Sequence, residues 1–210
     1  VNSYGVDYIN GFKGIAALMV VSGHFLIAFY PFFNSQNPDE SIFQRIPLLK
    51  YIVFSPVSFM YNGHFAVMGF FIVSGYVLSY RYFLSGERTL IVSALLRRYF
   101  RLTIPIFAAC ALAYGCLALG LFFNQDTARI TNSKWLASFY TFEPSFVQMV
   151  KFALYGVYFD FHGYQDYNNP LWVMNMVLVG SGIVFALLFL CSVTKKRYLL
   201  YLVALALLHK

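Results

Sequence analysis

The sequence predicts an all-α fold: a polytopic transmembrane helix bundle of four to five spans with interfacial helices beside them. Three observations carry that expectation. Of 210 residues, 60% are hydrophobic and only 11% are charged, with a mean hydropathy of +0.66, well outside the range of a water-soluble domain. Apolar runs of about twenty residues, the length that crosses a bilayer, recur along the chain. Arginine and lysine gather beside these runs, as cytoplasmic flanks of membrane helices do.

The first span is Phe12–Tyr30. Its apolar run is long enough to remain as an anchor, so no cleavable signal peptide is expected. The second is Phe65–Phe83, the third Ile104–Phe123 and the fourth Leu171–Val193. A final run, Tyr198–Leu208, is too short to span and reads as the opening of a fifth. Two further apolar stretches, Ile42–Met60 and Phe146–Phe161, are broken by charge or proline. They are expected as interfacial or re-entrant pieces on the outer face. The chain starts at Val1 without Met and stops inside an apolar run, so it reads as a fragment of a larger bundle of about ten helices.

Arg81, Arg88, Arg97, Arg98 and Arg101 lie between the second and third spans, and Lys195, Lys196 and Arg197 follow the fourth. The positive-inside rule places both segments in the cytoplasm, together with the amino terminus and the loop 84–101. Membrane flanking thus explains the net charge of +7, and no nucleic-acid partner is expected. Cys110, Cys116 and Cys191 all fall within predicted spans, and their odd number excludes a complete disulfide framework. No metal-ligand spacing is present, and no cofactor is expected to be bound.

Lys13 and His24 share the first span, eleven residues apart. On a helix this is three turns with about 20° left over, so both face one way, about 16 Å apart along the axis. Ionisable groups in hydrocarbon cost about 2.5–3.5 kcal/mol when charged, so a pair kept there lines a pathway or a reaction centre. An imidazole titrates near physiological pH. His24 is therefore a candidate general base or nucleophile, against a helix-packing imidazole. Lys13 is either an interfacial anchor or a partner for a ligand's negative charge. Arg98 and Arg101, three apart, are either topological charges or a phosphate clamp. His64, at the outer end of the second span, is a candidate acceptor contact. Asp160 and Asp166 are candidates for a polyhydroxy acceptor, and Trp172 with Tyr158–Tyr167 read as belt aromatics. Ser74 and Gly75 read first as small residues that let helices approach.

Four segments in order carry a family resemblance. They are Asp7 with Lys13-Gly14 through Gly23-His24; Asn62-Gly63-His64-Phe65 running into Phe70-Phe71-Ile72-Val73-Ser74-Gly75; Arg97-Arg98-Tyr99-Phe100-Arg101-Leu102 with Pro105; and Asn169-Pro170-Leu171-Trp172. Together they resemble the front half of the membrane acyltransferase-3 family of multipass O-acyltransferases. Lysine stands where that family usually has arginine, and Val177 where it generally has glutamate. The resemblance implies transfer of an acyl group, most simply acetyl, from a cytoplasmic acyl-CoA (acetyl-CoA) to a hydroxyl of a carbohydrate, lipid or small metabolite. His24 would be catalytic, as a general base for the acceptor hydroxyl in preference to a covalent acyl relay, and Lys13, Arg98, Arg101 and His64 would bind substrate. The expected partners are the lipid bilayer, acyl-CoA, a hydroxyl-bearing acceptor and a subunit supplying missing helices. The departures leave two alternatives: a degenerate, non-catalytic bundle acting as partner subunit or acyl conduit, and a small transporter.

Overall fold

The computed structural model describes residues 4–33, 43, 45–85, 89–163 and 166–193, and every regular element among them is helical. In order they are α1 (Tyr4–Phe29), α2 (Pro47–Val53), α3 (Gly63–Ser85), α4 (Thr89–Ala118), α5 (Asn124–Thr131), α6 (Lys134–Ala137), α7 (Phe146–Phe159) and α8 (Val173–Val193). Short 3-10 turns lie at Pro31–Phe33, Pro56–Tyr61 and Asn169–Trp172. Four helical segments are long and apolar enough to cross a membrane: Tyr8–Phe29, Gly63–Tyr80, Leu96–Ala118 and Asn169–Cys191. Their large apolar side chains point outward, among them Ile15, Leu18, Ile72, Ile104 and Leu112. A surface of that kind is untenable in water and natural in lipid. The expected fifth span and the cluster Lys195–Arg197 lie outside the described residues.

The third span begins and ends earlier than its sequence pattern implied. The segment read as a cytoplasmic loop, 84–101, is helical at 84–85 and again from Thr89, so Arg97, Arg98 and Arg101 sit within α4. Nothing between Thr89 and Arg101 breaks a helix, and leucine, alanine and arginine are good helix formers. At the other end, Gly120 takes a left-handed φ of 66° and α4 stops at Ala118, the glycine stop available only without a Cβ. Pro105 lies inside α4, where it removes one ladder bond without ending the helix.

The chain forms two compact units. In the first, Val1–Val73 with Leu119–Phe142, two glycines permit close contacts. A Cβ at Gly69 would meet the Phe12 ring at 2.6 Å, and one at Gly23 would meet the Tyr61 carbonyl oxygen at 2.4 Å. Helix α6 is short but heavily secured. Ser133 caps it by accepting the Leu136 N–H at 3.3 Å, Asn124 donates to the carbonyls of Leu136 and Phe139 at 3.1 and 2.9 Å, and Gln125 donates to that of Ala137 at 2.9 Å.

The second unit is Ser74–Ala118 with Glu143–Lys210. Thr103, Ile106, Cys110 and Ala113, spaced along one face of α4, are buried, as are Met149, Phe152, Ala153 and Val157 of α7. These are i, i+3, i+4 patterns, the stripe of a helix packed on protein. Helix α7 contains a π turn, Phe152–Gly156, and the Leu154 carbonyl within it accepts the Tyr99 hydroxyl at 2.7 Å. Phe146–Phe161 is thus a packed helix with a buried stripe. Tyr158 and Tyr167, read from sequence as belt aromatics, are buried as well. The Tyr158 hydroxyl meets Thr103 Oγ1 at 2.9 Å, and Tyr167 exchanges bonds with the backbone of Ser145 at 2.7 and 2.8 Å. Buried hydroxyls need such partners.

Candidate active site

Helix α1 is continuous from Tyr4 to Phe29, so the eleven-residue step places Lys13 and His24 on one face as expected. Both are half-buried. His24 Nδ1 lies 2.8 Å from the Val20 carbonyl oxygen. A carbonyl only accepts, so Nδ1 carries the hydrogen and donates it. In the neutral ring Nε2 then keeps its lone pair, the arrangement a general base requires. The bond runs back one turn along α1 and fixes the ring orientation without any second helix.

Two other elements of the same unit surround this turn. Gly23, next to His24, is buried against the Tyr61 carbonyl. Trp135 of α6 stands with its ring centroid 6.0 Å from that of His24, the planes tilted by 44°. Trp135 in turn meets Phe139 edge-on at 4.6 Å. Sequence reading did not single out Trp135, because nothing local marks a tryptophan in a four-residue helix as the neighbour of a distant histidine.

In the second unit, Arg98 Nη2 donates to Ser74 Oγ at 2.9 Å. Two of the segments singled out in sequence therefore meet: the serine of Phe70-Phe71-Ile72-Val73-Ser74-Gly75 and the first arginine of Arg98-Tyr99-Phe100-Arg101. Ser74 is an arginine partner as well as a small residue. Arg98 Nε is buried without a hydrogen-bond partner among the described residues. Arg101 lies three residues along the same helix and is exposed.

With these segments placed, the comparisons decide the family. An acyltransferase-domain family matches residues 6–208. The chain belongs to the acyltransferase-3 family. No curated protein and no solved structure matches it. Family membership and four span-length apolar helices together make it a multipass membrane acyltransferase-family protein.

The remaining candidates of this acyltransferase-3 chain are placed as follows. His64 is the second residue of α3 and is exposed. Asp160 is exposed, 3.6 Å from His162 Nε2. Asp166 is buried and accepts the His162 backbone N–H at 2.6 Å. Burial pushes its carboxyl above the usual Asp range, the backbone bonds only partly opposing this. Such a group is a structural acceptor within its own loop and is poorly placed to meet a polyhydroxy ligand. Val177, at the position where the family generally has glutamate, gives its carbonyl to the Ser181 hydroxyl. Cys110, Cys116 and Cys191 are free thiols, and no metal-binding group of His, Cys, Asp or Glu occurs among the described residues.

Proposed function

We propose that this protein transfers an acyl group, most simply acetyl, from acyl-CoA to a hydroxyl of a carbohydrate, lipid or small metabolite. The observation that carries this reading is the His24 imidazole, with Nδ1–H tied to the Val20 carbonyl and Nε2 left as acceptor. Nε2 takes the proton of the acceptor hydroxyl as its oxygen attacks the thioester carbonyl carbon. The carbon–sulfur bond then breaks, and the coenzyme A thiolate leaves and takes up that proton. The oxygen gains the acyl group, so atoms and charge balance. Lys13, Arg98 and Arg101 serve the phosphates of the donor: guanidinium forks suit phosphate, and a lysine contributes a point charge. His64 contacts the acceptor. The amino terminus and the arginine-bearing start of α4 face the cytoplasm in this reading, in keeping with the positive-inside bias.

The test is release of free coenzyme A thiol from acetyl-CoA by membranes carrying the full protein. His24→Ala should abolish acceptor-dependent release while leaving membrane insertion intact. Unchanged turnover in that variant removes the mechanism.

A further inference from the structure

The chemistry of a base leaves a cation behind, and among the described residues no carboxylate is paired with His24. Once Nε2 has taken a proton, His24 is an imidazolium with Nδ1 held on Val20. Among the described residues, the elements packed on α1 include the turns Pro31–Phe33 and Pro56–Tyr61, helix α6 and the first part of α3, where Gly69 meets Phe12. Their titratable groups are Tyr61, Lys134 and His64. None is a carboxylate, and α1 itself adds Lys13 on the same face and Asp7 near its opposite end from His24. Asp126 of α5 is exposed and already paired with Arg129 at 3.3 Å. The group that does stand beside the imidazole is the indole of Trp135.

We infer that Trp135 is a positioning residue for His24, its indole seated to stabilise the imidazolium that forms when His24 accepts a proton. A cation within about 6 Å of a tryptophan centroid is attracted by the ring quadrupole, and tryptophan is the strongest aromatic partner. The observed 6.0 Å separation lies at that reach. The second support is how firmly the indole is held. Helix α6 has only four residues, too few to be stable alone. Yet the Ser133 cap, the Asn124 and Gln125 bonds and the edge-on Phe139 all fix it. Those bonds set Trp135 in place beside His24.

The inference rests on His24 acting as a base, and its test separates the two claims. In a Trp172→Phe background, Trp135 is the sole tryptophan, and a protonated imidazole in contact quenches indole emission. Acidifying the detergent-solubilised protein should quench Trp135, and His24→Gln should remove that quench; neither measurement needs turnover. Turnover of acetyl-CoA supplies the second readout. Trp135→Leu should lower kcat between about twofold and thirtyfold, the span of a cation–π contact from exposed to desolvated. KM should stay unchanged, and Trp135→Phe should recover much of the loss. An acid quench indifferent to His24→Gln overturns the inference, as does a Trp135→Leu enzyme with wild-type kcat. If the quench behaves as expected but wild-type protein consumes no acetyl-CoA, the contact stands and the acyltransfer reading falls.

Discussion

Gly23 separates a geometric requirement from a merely helical one. A Cβ there would sit 2.4 Å from the Tyr61 carbonyl oxygen, whereas ordinary contact begins at 3.4 Å. The difference, 3.4 − 2.4 = 1.0 Å, must be supplied by backbone, because the obstacle is a main-chain carbonyl and not the end of a flexible side chain. Overpacking of this kind costs about 1–3 kcal/mol. Alanine also gains about 1 kcal/mol over glycine in a helix interior, so Gly23→Ala alone would understate the clash. Gly14, in the same helix, has nothing within 4 Å of its built Cβ. Gly14→Ala therefore reports the propensity gain alone, and the difference between the two variants isolates the clash at about 1–3 kcal/mol. At roughly 2–4 °C per kcal/mol for a chain of this size, thermal midpoints should part by about 2–12 °C, with Gly23→Ala the lower. Thermal unfolding of both variants in the same detergent measures this. Equal midpoints, or a higher one for Gly23→Ala, would refute the close approach beside His24.

Three other outcomes follow from the second unit. Ser74→Ala should destabilise by about 1–3 kcal/mol, since it leaves a half-buried guanidinium short of an acceptor, and Ser74→Thr should restore most of it; denaturant unfolding in micelles reads both. Tyr158→Phe should cost only about 0.5–1.5 kcal/mol, because Thr103 still donates to the Tyr99 carbonyl at 2.8 Å. Tyr158→Ala, which empties a fully buried site, should cost about 3–5 kcal/mol by the same assay. Burial raises the Asp166 carboxyl above its unfolded value, so the folded state holds its proton more tightly. Stability contributed by that proton is complete below about pH 4 and declines as pH climbs through the raised value. Asp166→Asn should remove that decline from a plot of unfolding free energy against pH.

Much of the helical layout is written in hydropathy alone. The runs opening near Phe65 and Leu171 become α3 and α8 within two residues, and the run at Phe12 lies within α1, which opens earlier at Tyr4, because length and apolarity are all a lipid-facing helix needs. The third run was misplaced because arginines resemble a loop in a hydropathy profile, while their backbone obeys helix propensity from Thr89 onward. The Gly120 stop was available in the sequence and outweighed by the apolar residues after it. The apolar composition of Phe146–Phe159 does not mark which of its residues form the buried stripe facing α4. In the candidate site, Lys13 and His24 were legible because they share one helix. The Ser74–Arg98 bond and the Trp135–His24 contact join separate helices, and no local pattern encodes which helices meet.

The proposed chemistry depends most on which nitrogen of His24 holds the hydrogen. A nitrogen-15 spectrum of the imidazole in the bilayer-embedded protein, under conditions where the ring is neutral, reads this directly. Protonated Nδ1 with a bare Nε2 is the predicted result. A neutral ring protonated on Nε2 would leave no lone pair there for the acceptor hydroxyl, contradicting both the Val20 bond and the chemistry built on it.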